Sequence, residues 1–299
     1  MEVPDKYKNA KIVRTPVDKV LVGSTTQACS LRVIDELKSI KAVTTDADFW
    51  TIDEVKNGVK SGKIKYVGAN TAPDYEKIAD LNPDLAIVYS GSSDADAKLI
   101  DKLDELGITY VVDNEYKEED PFGRMEWSKL IGAFYDKEDI ASKSLDNVVK
   151  NVEEATKKIK NNKKAKVVWA SVYEGTVYVP KKDSYVDKMI KMAGAENVFD
   201  NMDVDGGQIS IEQLHEAAKN ADIFVYSSSS AYSPDLKSII DKAPVLGDLD
   251  VIKNGNLWVF APDYYQSVDK TDELITDLIE MFNPGTTGQD IKHYINYKK

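Results

Sequence analysis

Cysteine is almost absent from this chain, which has 299 residues and a single cysteine, Cys29. No internal disulfide can form. Some metalloenzymes, such as the nitrogenase-like ones, are built from paired α/β lobes. That class is excluded here, because its metal clusters need several cysteine ligands. Cys29 lies in the apolar stretch QACSLRVIDEL, where a small buried thiol is the expected role. A lone thiol does not indicate a compartment.

Histidine is nearly as scarce, since the chain contains only His215 and His293, and neither follows a predicted strand. Two histidines are too few for a site that binds zinc or manganese through several histidines together with carboxylates. Neither has a serine or cysteine arranged around it as a nucleophile, and no glycine-rich phosphate loop follows a strand. We therefore expect no catalytic residue, no metal site and no enzymatic activity.

Positive charge is in the minority, because 39 basic residues face 51 acidic ones and the net charge is −12. Such a balance repels phosphate backbones and anionic lipid headgroups, so nucleic acid is not an expected partner. No run of 18 apolar residues occurs, so the sequence predicts no membrane-spanning helix. No signal peptide is visible, and we interpret the first residues, MEVP, as the start left after a removed segment.

The chain does contain a regular alternation of strand and helix patterns. Its length suits two domains of about 150 residues each. In the first half, the run LAIVYSGSS predicts a strand buried on both faces, a helix is predicted over 94–105, and ITYVVD predicts the next strand. In the second half, strands are predicted at TVYV, IFVY and LWVF, and helices over 183–193 and 268–282. This alternation predicts an α/β fold with mostly parallel sheets.

A long helical pattern separates these halves. Residues 137–163 place apolar side chains on one face, and no glycine or proline interrupts them. About 24 helical residues would span roughly 36 Å, which is enough to run from one lobe to another. We therefore predict an N-terminal lobe over 1–138, a linking helix over 139–163 and a C-terminal lobe over 164–299. The alternative is an ordinary crossover helix within one large sheet.

The two halves repeat one short pattern. Each has a glutamate that opens a short helix, Glu76 or Glu212, and then an aspartate before a buried strand. Each strand ends in Tyr-Ser, with the tyrosine 13 residues after Glu76 and 14 residues after Glu212. Ligands of parallel sheets bind beyond the carboxyl ends of the strands. We therefore expect the loops after the two Tyr-Ser pairs to face each other across a cleft.

Four segments carry a resemblance to a known family, namely 68–89 (GANTAPDYEKIADLNPDLAIVY), 121–127 (PFGRMEW), the helix at 137–163 and 210–214 (SIEQL). Nearly the whole chain resembles a substrate-binding protein of an ABC importer, of the helix-linked class III type. The resemblance implies two Rossmann-like lobes joined by a single long α-helix, and a monomer. It also implies an extracytoplasmic place, at the cell surface or in the periplasm, with a tether from a removed N-terminal lipoprotein signal.

The resemblance also implies a class of ligand. Proteins of this type carry iron-siderophores, haem and cobalamin and deliver them to a permease dimer. We expect an iron-siderophore, with cobalamin or another corrinoid as the alternative and haem after it, and no covalently bound cofactor. The chain has only three arginines, which argues against a highly anionic catecholate complex. A ligand-sensing domain of the same fold is a second alternative, because it would share the same cleft.

Candidate ligand contacts are side chains near predicted strand ends or helix starts. Sixteen tyrosines against seven phenylalanines favour amphipathic rings, which suit a wet cleft, although core packing explains any single ring equally well. Tyr173 and Tyr226 follow strands directly and rank first. Arg124 begins a predicted helix, where it could pair with an anionic chelate or with Glu126 or a nearby loop acid. The full set is Thr25, Trp50, Ser90, Tyr116, Arg124, Tyr173, Tyr226, Tyr264 and Tyr265.

The glutamates of the repeated pattern have two interpretations. Glu76 and Glu212 both open helices, where a carboxylate is electrostatically favoured in any protein. The resemblance implies a second role, because one glutamate on the outer rim of each lobe engages arginines of the permease in that family. Both positions hold glutamate here, so we favour permease docking.

Overall fold

The fold is described from a computed structural model that covers residues 4–8, 10–160, 163–202, 204 and 206–297. Contacts divide the chain into two compact units. The N-terminal unit contains the residues up to Tyr116 together with Glu126–Ser144. The C-terminal unit contains Lys117–Met125 and the residues from Leu145 onwards.

The N-terminal unit has a sheet of parallel strands, in the order β3-β2-β1-β4-β5. The strands are β1 (Val20–Val22), β2 (Ile40–Val43), β3 (Lys65–Tyr66), β4 (Leu85–Val88) and β5 (Tyr110–Val112). The helices are α1 (Thr25–Val33), α2 (Asp53–Lys60), α3 (Tyr75–Leu81), α4 (Asp94–Glu105), α5 (Pro121–Ala133) and α6 (Glu138–Thr156), of which α5 and α6 extend across the division between the units. The strand order reverses between β1 and β4, and such a reversal opens a crevice beyond the carboxyl ends of these strands.

Burial on both faces of the sheet explains why the sequences of β1 and β4 are apolar at every position. Both strands are buried at every residue, because apolar clusters cover the two faces of the sheet. One cluster contains Val20 and Val22 of β1, and the other contains Leu21. Strands covered on both faces are typical of parallel sheets in α/β proteins.

The C-terminal unit has a mixed sheet, in the order β12-β11-β10-β6-β7-β9, with β8 paired to β6. Its strands are β6 (Lys166–Tyr173), β7 (Thr176–Tyr178), β8 (Glu196–Asn197), β9 (Gln208–Ile209), β10 (Ile223–Ser229), β11 (Leu257–Phe260) and β12 (Tyr294–Asn296). Its helices are α7 (Tyr185–Met192), α8 (Ile211–Ala218), α9 (Leu236–Ile240), α10 (Asp250–Lys253) and α11 (Thr271–Phe282). The centre is parallel, whereas β7, β9 and β12 pair antiparallel. The α/β fold predicted from the sequence is confirmed, and antiparallel pairs are confined to the flanks of this second sheet.

The repeated sequence pattern corresponds to a repeated strand pair. In the N-terminal unit, Asp84 precedes β4 and its carboxylate accepts the backbone N–H of Lys19, just before β1, at 2.9 Å. In the C-terminal unit, Asp222 precedes β10 and accepts the backbone N–H of Lys166, the first residue of β6, at 2.8 Å. Each aspartate therefore joins the starts of two neighbouring parallel strands, so β1 and β4 match β6 and β10.

The linking helix is shorter than predicted. Helix α6 ends at Thr156, whereas the prediction extended to residue 163, of which 161 and 162 lie outside the described residues. After Thr156 the backbone tightens, because the N–H of Ile159 bonds to the carbonyl of Thr156. Ile159 then packs against the core of the C-terminal unit, and this contact redirects the chain.

Helix α6 contributes to both cores. Ala141, near its start, belongs to a core cluster of the N-terminal unit, and Val152 and Ala155 belong to a core cluster of the C-terminal unit. The segment Lys117–Met125 groups with the C-terminal unit, because Phe122 packs there, although the sequence interpretation assigned it to the N-terminal lobe. The predicted bounds of 1–138, 139–163 and 164–299 therefore remain a proposal.

Candidate functional site

The crevice of the N-terminal unit begins with the loop between β1 and α1. Gly23 lies against β4, because its N–H bonds to the carbonyl of Ile87 at 2.9 Å and a Cβ there would lie 3.1 Å from the same oxygen. Ser24 caps α1 through a reciprocal pair of bonds with Gln27. Thr25 is the first residue of this helix and is half-buried. The predicted contact Thr25 therefore lies at the switch point of the sheet, where ligands of this architecture bind.

Polar and aromatic side chains meet beyond β4 and β5. The Asn114 side chain accepts the backbone N–H of Ser90 and donates to the Ser90 hydroxyl, both at 3.0 Å. The Tyr116 hydroxyl donates to the carbonyl of Ser90 at 2.7 Å, and its ring meets the Tyr89 ring edge-on at 6.4 Å. The structure thus brings together the predicted contacts Ser90 and Tyr116. Asn114 was missed, although it follows a predicted strand and the same rule would have selected it.

Trp50 is a correction, because the structure places it in the core of the N-terminal unit. Only 1% of its surface is exposed, and it packs with Val55 and Ile64. Its indole N–H donates to the carbonyl of Thr45 at 3.0 Å, so the one polar group of the ring is satisfied internally. A ligand contact by Trp50 is therefore not supported.

The C-terminal unit contains an aromatic cavity of about 250 Å³ near the carboxyl ends of β10 and β11. We call it the aryl cavity. Its lining consists of Trp169, Tyr178, Val179, Pro180, Tyr185, Val186, Ser227, Phe260 and Tyr265. Among the predicted contacts, Tyr265 lines this cavity directly. The lining contains no acid, histidine or cysteine, so it suits an apolar, planar group of a ligand.

Arg124 lies beside this cavity. Its guanidinium carbon is 4.5 Å from the centroid of the Tyr185 ring, which is a cation–π contact. Burial raises the pKa of Tyr265 to about 12, and Tyr185 adds to this effect while the positive charge of Arg124 opposes it. The Tyr265 hydroxyl is therefore protonated at neutral pH and can donate a hydrogen bond. The predicted ligand roles of Arg124 and Tyr265 remain predictions.

Two more predicted contacts are corrections, namely Tyr226, which ranked first together with Tyr173, and Tyr264. Tyr226 is 1% exposed, and its hydroxyl donates to the carbonyl of Val172 at 3.2 Å. Tyr264 is 3% exposed and stacks on Phe260 with ring centroids 3.8 Å apart. Both rings are core residues, and Tyr264 supports the cavity only through Phe260.

Tyr173 is exposed at the turn between β6 and β7. It pairs with Thr176 across the turn formed by Glu174 and Gly175, whose φ angles are 49° and 79°. The ring is 65% exposed and is not among the lining residues of the aryl cavity. Its predicted contact with a ligand remains a prediction.

Sequence reasoning missed most of the aryl cavity. Tyr178 lies next to the end of the predicted strand TVYV, and Tyr185 lies near the start of the helix predicted over 183–193. The rule that selected side chains near strand ends or helix starts would therefore also have found them. Trp169 gave no such signal, because it lies in the middle of β6. Its contribution depends on which face of that strand meets α7 and β11.

The two rim glutamates occupy matching positions. Glu76 is the second residue of α3 and Glu212 is the second residue of α8, and both side chains are exposed. Asp74 and Ser210 cap these helices by accepting backbone N–H groups. The Glu212 backbone N–H, and then the Ser210 hydroxyl, lower the pKa of the Glu212 carboxyl. The exposure agrees with the docking interpretation, and docking itself remains a prediction.

A buried histidine lies behind the aryl cavity. His293 directly precedes β12 and is 2% exposed, and its Nδ1 lies 2.8 Å from Asp263, which precedes Tyr264. Its Nε2 lies 3.4 Å from Glu273, and its backbone N–H donates to Asp277 at 2.7 Å. Within the described ranges, no three or more His, Cys, Asp or Glu side chains are grouped so that they could hold a metal ion. The arrangement is therefore an ion-pair cluster.

This cluster predicts a pH-dependent stability. Burial lowers the pKa of His293, but Asp263, Asp277 and Glu273 outweigh it and the net shift is upward. Lys270 and Lys292 lower the pKa of Glu273, and Lys270 also lowers the pKa of Asp263. A raised histidine pKa stabilises the fold fully below the unfolded value of about 6.5, and the contribution is lost as pH rises through the folded pKa.

We therefore expect the melting temperature to fall from about pH 6.5 upward, by about 2–4 °C for each 1 kcal/mol lost. Thermal unfolding followed by circular dichroism at a series of pH values measures this slope. The variant His293→Gln should lose the slope, because it cannot gain a proton. His215→Gln removes the only other histidine and should keep it. Equal slopes in both variants would contradict the assignment.

Comparison with known proteins identifies the family. A family model of periplasmic binding proteins matches residues 24–264. The chain belongs to the periplasmic binding protein family.

Individual relatives cover most of the chain. It is 34% identical over 284 residues to an uncharacterized lipoprotein of Methanocaldococcus jannaschii, with 92% of this chain and 67% of that protein covered. A periplasmic heme-binding protein from Pseudomonas aeruginosa matches with a TM-score of 0.71 at 14% identity, over 95% of this chain and 99% of that one. The petrobactin-binding protein of Bacillus subtilis matches with a TM-score of 0.67 at 16% identity, over 91% and 94%. At these identities the structural matches show the fold.

In the part of the chain that the structure describes, no helix is both long and apolar enough to cross a bilayer.

Proposed function

We propose that this protein captures a metal chelate, foremost an iron-siderophore, and delivers it to the permease of an ABC importer. The observation that carries the proposal is the aryl cavity, whose lining offers aromatic rings and hydroxyls but no metal-ligating carboxylate, imidazole or thiol. Such a surface suits a ligand whose metal is already fully coordinated. The petrobactin-binding and heme-binding neighbours support the same class of ligand. No bond is made or broken in this function.

The N-terminal unit offers a second, more polar surface for the same ligand. Thr25 at the start of α1 and the Ser90–Asn114–Tyr116 cluster present hydroxyls near the carboxyl ends of β1, β4 and β5. Hydroxyl and amide groups can donate to the oxygen atoms of a chelate or accept from its amide groups. We propose that this polar surface of the N-terminal unit is a second candidate surface for ligand contacts.

The test of chelate capture is isothermal titration calorimetry with a ferric siderophore, ZnCl₂ and MnCl₂ in separate experiments. We expect the complete chelate to bind at least about a hundredfold more tightly than either bare ion, because the residues that the structure describes form no group of ligands for a metal ion. Submicromolar affinity for a bare ion would overturn the proposal. Native mass spectrometry of protein from its natural host, with absorbance bands scanned, distinguishes iron-siderophore from corrinoid and haem.

We further propose that the protein works outside the cytoplasm as a membrane-tethered monomer. Relatives named as lipoproteins in Methanocaldococcus jannaschii and Bacillus subtilis support the tether. Glu76 and Glu212 are proposed to contact the permease, because they are exposed at matching helix starts. A sensing domain of the same fold would bind the ligand without needing these contacts, so their substitution separates the two alternatives.

A further inference from the structure

We infer that the aryl cavity of the C-terminal unit binds a planar aromatic substituent of the ligand, and thereby selects aryl-bearing chelates over alkyl-bearing ones. This inference rests on the proposed function and deepens it by naming a chemical feature of the ligand. It depends only on residues of the C-terminal unit.

The size of the cavity limits what enters it. Its volume is about 250 Å³. An apolar cavity of about 150 Å³ holds benzene, whereas sites for whole drug-sized ligands measure about 300–1,000 Å³. The volume therefore matches one substituted ring, and the rest of a larger chelate would extend outside the cavity.

The chemistry of the lining selects a flat, π-rich group. Tyr178, Tyr185, Phe260 and Tyr265 surround the cavity together with Trp169. Aromatic rings prefer offset-stacked or edge-to-face neighbours with centroids about 4.5–7 Å apart, and such pairs add binding energy beyond the area that they bury. An alkyl group of equal volume would gain only the free energy of burying its apolar surface. The Ser227 and Tyr265 hydroxyls can form hydrogen bonds with a phenolic hydroxyl or an amide group on the edge of the ring.

A cationic guest is disfavoured, although aromatic cages elsewhere bind ammonium groups. The guanidinium of Arg124 lies 4.5 Å from the Tyr185 ring centroid and covers one of its faces. The charge of Arg124 also acts on Tyr264 and Tyr265. A second positive charge in this cavity would meet like-charge repulsion. A neutral or electron-rich ring has no such cost.

Two of the rings that line the cavity, Phe260 and Tyr185, are supported by packing or hydrogen bonds behind them. Tyr264 stacks directly on Phe260 with an interplanar angle of 9°. The start of α7, which carries Tyr185, is held by the fully buried Asp187, whose carboxylate accepts the backbone N–H of Asp183 at 2.8 Å and pairs with Lys191 at 2.7 Å. Rings that are already ordered lose little conformational freedom on binding, which favours affinity.

The test uses neutral chromium(III) complexes that differ in one group. Chromium(III) tris(benzohydroxamate), tris(cyclohexanecarbohydroxamate) and tris(acetohydroxamate) share metal, donors and charge, and their ligands exchange slowly. Calorimetry should show that the phenyl complex binds at least about tenfold more tightly than the methyl complex and at least about threefold more tightly than the cyclohexyl complex. Fluorine NMR of protein labelled with 5-fluorotryptophan should show a shift of the Trp169 resonance, assigned with Trp169→Phe.

Substitutions in the aryl cavity show whether the preference for the phenyl complex arises there. Tyr185→Ala and Tyr265→Ala should each weaken binding of the phenyl complex about tenfold, a range typical of stacked rings, and change binding of the methyl complex less than about twofold. Tyr66→Ala is the matched control, because Tyr66 is 37% exposed and Tyr265 is 40% exposed, and Tyr66 lies on β3 of the other unit. Thermal melts establish that each variant is folded.

The outcomes separate this inference from the proposed function. If all three complexes bind equally, or if the phenyl preference survives both substitutions, chelate capture stands and the aryl site is wrong. If no complex binds but metal-free benzohydroxamic acid moves the Trp169 resonance in a Tyr185-dependent way, the aryl site stands and chelate capture is wrong. If no complex binds and the free acid leaves that resonance unmoved, both are wrong.

Discussion

Replacing Tyr226 with alanine should lower the free energy of unfolding by about 3–5 kcal/mol, the range for removing a large aromatic side chain from a core. Tyr226 is 1% exposed and packs in a core cluster with Phe224 and Leu214 of the same unit. The substitution leaves a cavity beside β6 and removes the hydroxyl that bonds to Val172 at 3.2 Å and 3.3 Å. Urea unfolding followed by circular dichroism measures the loss.

Two control variants separate the contributions to stability of the Tyr226 ring, of its hydroxyl and of its buried position. Tyr226→Phe keeps the ring and should cost only about 1 kcal/mol, the usual net value of a buried hydrogen bond. Tyr173→Ala removes a ring that is 65% exposed, and it should change stability by less than about 0.5 kcal/mol. A stable Tyr226→Ala protein that had lost ligand affinity would instead support the sequence-based interpretation of Tyr226 as a ligand contact.

Strand length explains why the sequence misassigned Tyr226. The two half-patterns place Tyr89 and Tyr226 at equivalent positions, and the pattern suggested that both follow a strand. Strand β4 ends at Val88, so Tyr89 lies beyond it and is half-buried. Strand β10 continues to Ser229, so Tyr226 lies inside the sheet and turns into the core. The pattern of apolar residues in the sequence shows where a strand lies. The residue at which the strand ends depends on how far the neighbouring strands extend.

Features set by local chemistry were predicted well. Helix α4 occupies Asp94–Glu105, the predicted range, because Ser93 and Asp96 form a capping box at its start and the chain turns at Gly107 after its end. The repeated aspartate before a buried strand was also recognised from the sequence, although its bond to the start of a neighbouring strand in each unit was found only in the structure. Such features depend on residues close in the sequence or on one repeated pattern, so a single sequence carries their signal.

The candidate site was predicted only in part, because its side chains come from distant segments. Ser90 and Tyr116 were expected and do meet, and Arg124 and Tyr265 both lie at the aryl cavity. Phe260, in contrast, contributes from the end of β11, where it is also a core residue stacked on Tyr264. Whether such a ring faces a core or a cavity is decided by the packing of four or five separate elements, which the periodicity of one strand does not encode.

Removing both rim glutamates should stop transport while leaving capture intact. In the variant Glu76→Ala with Glu212→Ala, both truncated side chains are exposed, so stability should change by less than about 0.5 kcal/mol per site. Chelate affinity should stay within about twofold of the wild type. If each glutamate pairs with a permease arginine at a desolvated contact, each loss costs about 2 kcal/mol, roughly 30-fold in docking affinity. Uptake of radiolabelled ferric chelate by cells or proteoliposomes carrying the importer should then fall at least about a hundredfold.

The matched control is Asp80→Ala with Glu216→Ala, which removes two exposed acids from the same helices, α3 and α8, and changes the net charge equally. This control should transport normally, because docking depends on the position of the carboxylates and not on total charge. Each single variant, Glu76→Ala or Glu212→Ala, should show an intermediate defect if the two contacts act at separate arginines. Loss of chelate binding in the double variant would assign the glutamates to the ligand site. Normal uptake in that variant would show that these two positions do not engage the permease, and would favour a ligand-sensing role for the fold.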